Sequence, residues 1–278
     1  MSEPINRVQG YMFDVDGTLI LSDRALGGYK ALPHAAEVLT SLKARGIPFV
    51  ALTNGSAYPP VEQAAKLRAL GLPIEDHQML TPSSVAADLM PRNGVRSALI
   101  LGTSGVGHSL AEAGIELRFT GDEGAEQADA VYVGWHPDCG MKDIEAACNA
   151  IWNGAKLYVA SDIPFFASAS GRSMGYSHAI TAAIRKLTGA RMILTGKPSL
   201  HALRFVARKL GVPMTRVGVV GDDPSCEIAM ARRGGAVGFG VTTGFNKAAD
   251  WAGQPAGRQP HRLLGGIGDL LALEEMAA

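Results

Sequence analysis

Short apolar runs and amphipathic segments alternate along the first part of the chain. Val8 to Phe13 and Ile47 to Leu52 are mainly apolar and have the length of buried strands. Residues 32–46 and 59–71 instead place apolar side chains at helical spacing, and each of these segments ends at a glycine. Strands that alternate with helices in this way predict βαβ units and therefore a parallel sheet.

The same alternation starts afresh near Thr81, which indicates a second α/β region. We expect strands there at residues 97–101, 115–119, 129–135 and 157–160, and helices at residues 82–90, 104–113, 142–152 and 173–187. Strands of the first region resume after residue 191. The sequence therefore predicts an α/β fold with a Rossmann-like parallel-sheet core, residues 1–80 and 191–278, and an inserted α/β domain, residues 81–190.

Two aspartates, Asp14 and Asp16, follow the first predicted strand and precede Gly17. An ordinary Asp-Gly turn explains Asp16 but leaves Asp14 unexplained, because Asp is disfavoured in strands. Two neighbouring carboxylates at the end of a buried strand repel each other unless a cation lies between them, and divalent metals prefer carboxylate oxygens. An aspartate can also be a nucleophile that forms an aspartyl phosphate. The pair therefore indicates a site with metal or phosphoryl chemistry.

The segment from Asp14 to Leu19, D-V-D-G-T-L, resembles the first signature of the haloacid dehalogenase (HAD) superfamily, most of whose members are phosphatases. This resemblance implies that Asp14 is the nucleophile. It also implies that Asp16 serves as general acid and then as general base.

Three later loops resemble the other signatures of the superfamily and occur in the same order. They are Thr53-Asn54-Gly55 for the second, Lys197 in Gly-Lys-Pro for the third, and Asp222 in Gly-Asp-Asp for the fourth. Taken singly, these loops are also explained by a turn after a strand, a solvated lysine before a helix, and an N-terminal helix cap. Their joint occurrence at strand ends and helix starts favours the functional interpretation.

The resemblance also implies a cofactor and a set of ligands. Mg²⁺ would be held by the side chains of Asp14 and Asp222 and by the main-chain carbonyl of Asp16. Lys197 and the loop of residues 53–55 would bind the phosphate oxygens, the lysine as a point charge and the loop by hydrogen bonds.

The inserted region resembles the large α/β cap of the NagD / 4-nitrophenylphosphatase-like branch of the superfamily. Local matches are Ala51 to Ser56, Val131 to Gly134, Gly189 to Arg191 and Gly196 to Ser199. The resemblance implies a cap that sets substrate specificity, and many caps of this branch also form homodimers.

Two positions depart from the family pattern. Many members carry Asn-x-Asp after the last cap strand, whereas this chain has Ser161-Asp162-Ile163, so Asp162 is our candidate for contact with the leaving group. Glu227 stands where the fourth signature usually ends in an aspartate. Its longer carboxylate could still act through water or through Lys197.

The composition of the chain argues against several classes of protein and adds no new candidate function. The formal net charge is zero, so the chain shows no electrostatic signature of a nucleic-acid or anionic-membrane partner. No apolar run has the length of a membrane span, and the polar first residues do not resemble a signal peptide. The three cysteines, Cys139, Cys148 and Cys226, lack C-x-x-C spacing and are expected to be free thiols in a reducing cytosol.

We therefore expect a cytoplasmic, Mg²⁺-dependent phosphatase that hydrolyses a small phosphorylated metabolite, such as a sugar phosphate or a nucleotide. Two alternatives stay open: a dehalogenase of the same superfamily, and a non-catalytic phosphate-binding or regulatory protein on the same scaffold. His136, beside Trp135, is also open to two interpretations, as a turn residue or as a group that faces substrate.

Overall fold

The computed structural model describes residues 4–23, 28–168, 171–244 and 246–277. The chain divides into two compact units. The first unit contains residues 1–53, 63–79 and 197–278, and the second contains residues 54–62 and 80–196. Within the described ranges, every helix is too short or too polar to cross a membrane.

Strands of the parallel sheets alternate with helices in both units, and two antiparallel hairpins, Ile20–Asp23 with Gly28–Ala31 and Phe165–Ser168 with Gly171–Met174, interrupt the alternation. The strands are β1 (Gly10–Phe13), β2 (Ile20–Asp23), β3 (Gly28–Ala31), β4 (Phe49–Leu52), β5 (Met79–Leu80), β6 (Ser97–Leu101), β7 (Glu116–Arg118), β8 (Ala130–Val133), β9 (Lys156–Val159), β10 (Phe165–Ser168), β11 (Gly171–Met174), β12 (Met192–Leu194), β13 (Val217–Gly221), β14 (Val237–Val241) and β15 (Arg262–Leu264). The α-helices are α1 (Ala35–Ala44), α2 (Pro60–Ala69), α3 (Pro82–Arg92), α4 (Ser104–Glu112), α5 (Met141–Trp152), α6 (Tyr176–Thr188), α7 (Leu200–Leu210), α8 (Ala229–Gly234), α9 (Ala248–Ala252) and α10 (Asp269–Ala277). A π-helical turn, Pro224–Ile228, leads directly into α8.

The first unit is built on a sheet with the strand order β15-β14-β13-β1-β4-β5. The pairs from β15 to β4 are parallel, and β1, β4, β13 and β14 are buried along their whole length. Strands buried on both faces appear in a sequence as continuous apolar runs, which is why the pattern predicts them well.

The strand order of this sheet reverses direction between β1 and β13. From β1 the chain moves to β4 and β5 on one side, and from β13 it moves to β14 and β15 on the other. In open α/β sheets, ligands bind in the crevice beyond the carboxyl ends of the strands at such a switch point. The loops that follow β1 and β13 therefore occupy the position where a ligand is expected.

The second unit has its own parallel sheet, with the strand order β12-β9-β8-β6-β7. One face of this sheet is covered by a buried cluster that includes Ala147 and Ile184 of α5 and α6. The other is covered by a cluster that includes Met90 and Leu110 of α3 and α4. The expected α/β class is therefore confirmed for both regions.

Some local expectations differ from the structure. β12 pairs with β9 and so lies in the second unit, whereas the sequence pattern placed residues 191–196 in the first. A helix was expected from residue 173, but Gly171–Met174 is a strand paired with Phe165–Ser168, and the helix begins at Tyr176. The first difference comes from pairing with β9, which is distant in the chain. The second comes from a local hairpin, which the helical spacing of apolar residues after residue 173 did not indicate.

Candidate active site

The loops after β1 and β13 bring Asp14 and Asp222 to one edge of the sheet. In the register of this pair Phe13 lies opposite Val220, and the Asp14 amide donates to the Val220 carbonyl at 2.9 Å. Asp222 follows one residue after the end of β13. The sequence separates these aspartates by most of the chain, but the sheet makes their loops neighbours.

Asp14 is buried, with 6 % of its surface exposed, and both of its carboxylate oxygens accept hydrogen bonds. The ammonium of Lys197 donates to Oδ1. The hydroxyl of Thr18 donates to Oδ2 at 3.2 Å. Thr18 belongs to the D-V-D-G-T-L segment, but its role was not predicted from the sequence. Together the two donors fix the orientation of the carboxylate that we expect to be the nucleophile.

Lys197 lies between two buried carboxylates. Its ammonium is 2.8 Å from Glu227 Oε1 and also contacts Asp14. The other Glu227 oxygen accepts the Asp223 amide at 3.2 Å. Burial opposes the charged form of Lys197, but the charges of Asp14 and Glu227 outweigh it and hold the lysine pKa well above its usual value. Burial raises the pKa of Glu227, and the Lys197 charge opposes this shift.

Asp16 has a different environment from Asp14. Its side chain keeps access to solvent, although the surrounding protein atoms reduce its hydration. This desolvation, followed by the negative charge of Asp14, raises the pKa of Asp16 to about 6, against a smaller opposing effect of Lys197. A carboxyl with a pKa near neutrality can both give and take a proton, as a general acid and base must.

Asp222 is packed against two glycines. A Cβ on Gly17, whose φ is +89°, would lie 2.5 Å from Asp222 Oδ2, and a Cβ on Gly244 would overlap the same oxygen. Asn246 donates to the Asp222 carbonyl at 3.0 Å. The alternative role of a helix cap belongs instead to Asp223, whose side chain accepts the Ser225 amide at 2.7 Å.

The donors at this edge fit a hard divalent cation. Asp14 and Asp222 offer carboxylate oxygens and Asp16 offers a main-chain carbonyl, which are the ligand types that Mg²⁺ takes in proteins. The glycines at positions 17 and 244 allow the Asp222 carboxylate to lie against the backbone, where a larger side chain would overlap it. The residues present therefore suit the expected cofactor.

The residues of the expected phosphate-binding loop are assigned to different units of the chain. Thr53 is buried and follows β4, the neighbour of β1, in the first unit. Asn54 and Gly55 fall in the second unit, where the Asn54 side-chain oxygen lies beside Gly196. Asp162 is also in the second unit, and its carboxylate is 2.8 Å from Nδ1 of His178. This contact joins residues 16 positions apart and was not predicted from the sequence.

Comparison with known proteins points to the same family as the signature residues of the site, the haloacid dehalogenase-like hydrolases. The profile of the haloacid dehalogenase-like hydrolase family matches residues 11–116, and that of the HAD-hydrolase-like family matches residues 194–270. The 5'-nucleotidase YutF of Bacillus subtilis is 27% identical over 240 residues, which cover 86% of this chain and 89% of that protein.

Solved structures agree with the fold. The 4-nitrophenylphosphatase of Thermotoga maritima superposes with a TM-score of 0.85 at 25% identity, covering 97% of this chain and 98% of that one. NagD from E. coli superposes with a TM-score of 0.82 at 22% identity, covering 94% and 98% of the two chains.

The chain belongs to the haloacid dehalogenase-like hydrolases. Within this family it is similar to the NagD and 4-nitrophenylphosphatase-type proteins, as the sequence analysis expected. The expected enzyme class, a phosphoric monoester hydrolase, is confirmed by the same comparisons.

Proposed function

We propose that this protein is a Mg²⁺-dependent phosphatase that hydrolyses a small phosphate monoester through an aspartyl phosphate on Asp14. The observation that carries the proposal is the setting of Asp14: a buried carboxylate at the switch point of the sheet, oriented by Lys197 and Thr18. An aspartate held in this way is poised for attack on a phosphorus atom.

The reaction would take place in two steps. In the first, Asp14 forms a bond to phosphorus, the ester bond breaks, and the leaving oxygen takes a proton from Asp16. In the second, Asp16 takes a proton from a water that attacks phosphorus, and the bond to Asp14 breaks to release phosphate. Bound Mg²⁺ would offset the negative charges of the carboxylates and the phosphoryl group.

Lys197 would stabilise the transferring group by its charge. The lysine is held in place by Glu227 as well as by Asp14, so it is fixed before a substrate arrives. A preoriented cation costs no reorganisation during the reaction, which makes it effective at a developing charge. Thr53, Asn54 and Gly55 would add hydrogen bonds to the phosphate oxygens.

The substrate class we propose is a small phosphorylated metabolite, a sugar phosphate or a nucleotide. The B. subtilis relative is named a 5'-nucleotidase and the T. maritima structure a 4-nitrophenylphosphatase, so relatives with different substrates share this scaffold. We propose that the second unit acts as a cap that selects among such substrates, with Asp162 as a contact for the leaving group. A homodimer through this unit is a further prediction, which light scattering of the purified protein would test.

The proposed function is tested by phosphate release from a panel of sugar phosphates, nucleotides and p-nitrophenyl phosphate. Wild-type protein should release phosphate with Mg²⁺ and lose this activity in EDTA, and Asp14→Asn should lower kcat by at least about 10³-fold. The Asp14→Asn protein should keep the wild-type circular dichroism spectrum. Full activity of that folded variant, or of wild type in EDTA after dialysis, would refute the mechanism.

Phosphate binding without turnover by the wild type would instead identify a non-catalytic phosphate-binding protein. Halide release from a haloacid, without phosphate release from any member of the panel, would identify a dehalogenase.

A further inference from the structure

The second unit contains a group of side chains whose types can bind a metal ion. His136 and Cys139 stand in the loop between β8 and α5, and Asp143 lies in the first turn of α5. A ring nitrogen of the histidine, the cysteine Sγ and a carboxylate oxygen all lie within 4.8 Å of one another. All three residues are partly buried, and none of them has a role in the proposed phosphatase reaction.

The separation of His136 from Asp143 fits two ligands of one metal ion better than a direct hydrogen bond between the two side chains. His136 Nε2 is 3.7 Å from Asp143 Oδ2, which is too long for a hydrogen bond. In a tetrahedral zinc site, metal–nitrogen and metal–oxygen bonds of about 2.0–2.2 Å place two such ligands about 3.4 Å apart. Small changes in side-chain rotamers would therefore bring the three ligand atoms to the separations of a metal site.

The backbone already holds the ligands on one side of the loop. The Cys139 amide donates to the His136 carbonyl at 3.4 Å, which closes a turn. The Gly140 amide donates to Asp143 Oδ2 at 2.8 Å and so fixes the carboxylate at the start of the helix. The capping bond gives Asp143 a structural role of its own, but it does not explain why an imidazole and a thiol face the same carboxylate.

The topology of the second sheet supports a ligand at this place. Its strand order reverses between β6 and β8, because the chain moves to β7 on one side and to β9 and β12 on the other. His136 follows β8 by three residues. The cluster therefore lies beyond the carboxyl end of a strand at a switch point, where open α/β sheets bind ligands.

We propose that His136, Cys139 and Asp143 form a second metal site that binds Zn²⁺, with water in the fourth position. A thiolate, an imidazole and a carboxylate are the ligands that Zn²⁺ takes, and three protein ligands with one open position make a tetrahedral site. Mg²⁺ strongly prefers oxygen ligands and would not compete for the thiolate. The proposed site thus differs in metal preference from the all-oxygen edge at Asp14 and Asp222.

Metal binding at this site would release a proton from the cysteine. Burial, together with the charge of Asp143, raises the pKa of Cys139 to about 11, so the metal-free thiol is protonated at neutral pH. The zinc–sulfur bond replaces the sulfur–hydrogen bond, and the proton passes to solvent.

The test uses the full chain, stripped of metal and then supplied with excess Mg²⁺ to occupy the oxygen site. Titration with Co²⁺, a spectroscopic substitute for Zn²⁺, should produce a thiolate-to-cobalt charge-transfer band with one metal per chain, and Zn²⁺ should abolish it. Cys139→Ser should remove the band. The matched control, Cys148→Ala, changes a buried cysteine of α5 and should keep it.

Asp143→Asn provides a second variant, because the amide oxygen can still accept the Gly140 amide and preserve the helix cap. This variant should bind Zn²⁺ at least about tenfold more weakly in calorimetry, since loss of even an outer-shell partner costs about 10- to 100-fold. Absence of the band in wild type, or its persistence in Cys139→Ser, would overturn the proposal. Wild-type Zn²⁺ affinity in Asp143→Asn would overturn the three-ligand site.

Discussion

Lys197 and Glu227 form a buried ion pair of 2.8 Å, with 2 % and 4 % of their side-chain surfaces exposed. The lysine also contacts Asp14, so one ammonium is shared by two carboxylates. Glu227 stands at the position where the family pattern has a shorter aspartate. Its carboxylate contacts Lys197 directly, and this connects the fourth signature loop to the nucleophile through a single cation.

Removal of Glu227 should destabilise the protein. Glu227→Ala leaves the Asp223 amide without its acceptor and Lys197 with one carboxylate instead of two. Loss of one partner from a buried ion pair costs about 3–5 kcal/mol, so we expect the free energy of unfolding in urea to fall by about that amount. The exposed Glu145→Ala is the control and should change it by less than about 0.5 kcal/mol. A loss below about 1 kcal/mol in Glu227→Ala would show that the pair adds little.

Asp16→Asn should slow both chemical steps, because one carboxyl serves as acid in the first and as base in the second. Rapid-quench measurement of the phospho-enzyme would give the two rates separately. Each should fall by about 10²- to 10⁴-fold, the usual contribution of general acid–base catalysis. An unchanged rate for both steps would exclude the assigned role of Asp16.

The raised pKa of Asp16 predicts opposite pH dependences for the two steps. Because this pKa is about 6, the carboxyl is mostly protonated below that pH and mostly ionised above it. Phospho-enzyme formation needs the acid and should slow as the pH rises through this value, whereas hydrolysis needs the base and should become faster. Single-turnover experiments across this pH range should show one rate falling while the other rises. Rates of both steps that change with pH in the same direction would contradict the prediction.

Gly244→Ala should impair activation by Mg²⁺. The new methyl group would overlap Asp222 Oδ2 and push the carboxylate away from its position beside Gly17. We expect at least about tenfold more Mg²⁺ for half-maximal activity, as for other disturbances of a metal site. The control is Gly253→Ala, where an added methyl group meets no atom within 4 Å and should leave the titration unchanged. Equal Mg²⁺ requirements for the two variants would contradict the predicted metal ligand.

Asp129 should stabilise the second unit in a pH-dependent manner. Its carboxylate accepts the Arg96 and Ser97 amides at 2.8 and 3.0 Å. The Arg96 bond is the main cause of its lowered pKa; desolvation opposes the shift and the Ser97 bonds add to it. A carboxyl whose pKa is lower in the folded state contributes stability above its unfolded pKa of about 3.9 and loses it as the pH falls through the folded value.

Asp129→Asn should therefore lower the free energy of unfolding by about 1 kcal/mol at neutral pH, in line with charged hydrogen bonds of modest burial. The difference from wild type should shrink below about pH 4. Urea unfolding at both pH values measures this, with the exposed Asp138→Asn as control. A difference that stays constant at both pH values would show that the charge of Asp129 is not involved.

Local sequence was sufficient to locate the loops of the candidate active site. β1 and β13 appear as apolar runs because both are buried on both sides, and their carboxyl ends are marked by Asp14 and Asp222. The position of Lys197 before a helix was equally visible. In each case the informative residues are adjacent in the chain to the strand or helix that positions them, so a local pattern contains the necessary information.

Only the tertiary structure determined how those loops interact. Lys197 and Asp14 are 183 positions apart, and Thr243 donates a hydrogen bond to the Gly17 carbonyl across 226 positions. The pKa of Asp16 depends on desolvation and on the charge of Asp14. The size of both effects depends on the folded structure, so it cannot be derived from the sequence. The close approach of Gly244 to Asp222 likewise requires the packed loops.

The proposed zinc site shows that sequence and tertiary structure also contribute differently within a short segment. His136, Cys139 and Asp143 are close in sequence, yet their spacing matches no metal motif that the sequence analysis recognised, and the cysteine was expected to be a simple free thiol. A turn and the first residues of a helix bring the three side chains together. Residue types and order follow from the sequence alone, but the distance between ligand atoms depends on backbone angles and rotamers, which are determined by packing.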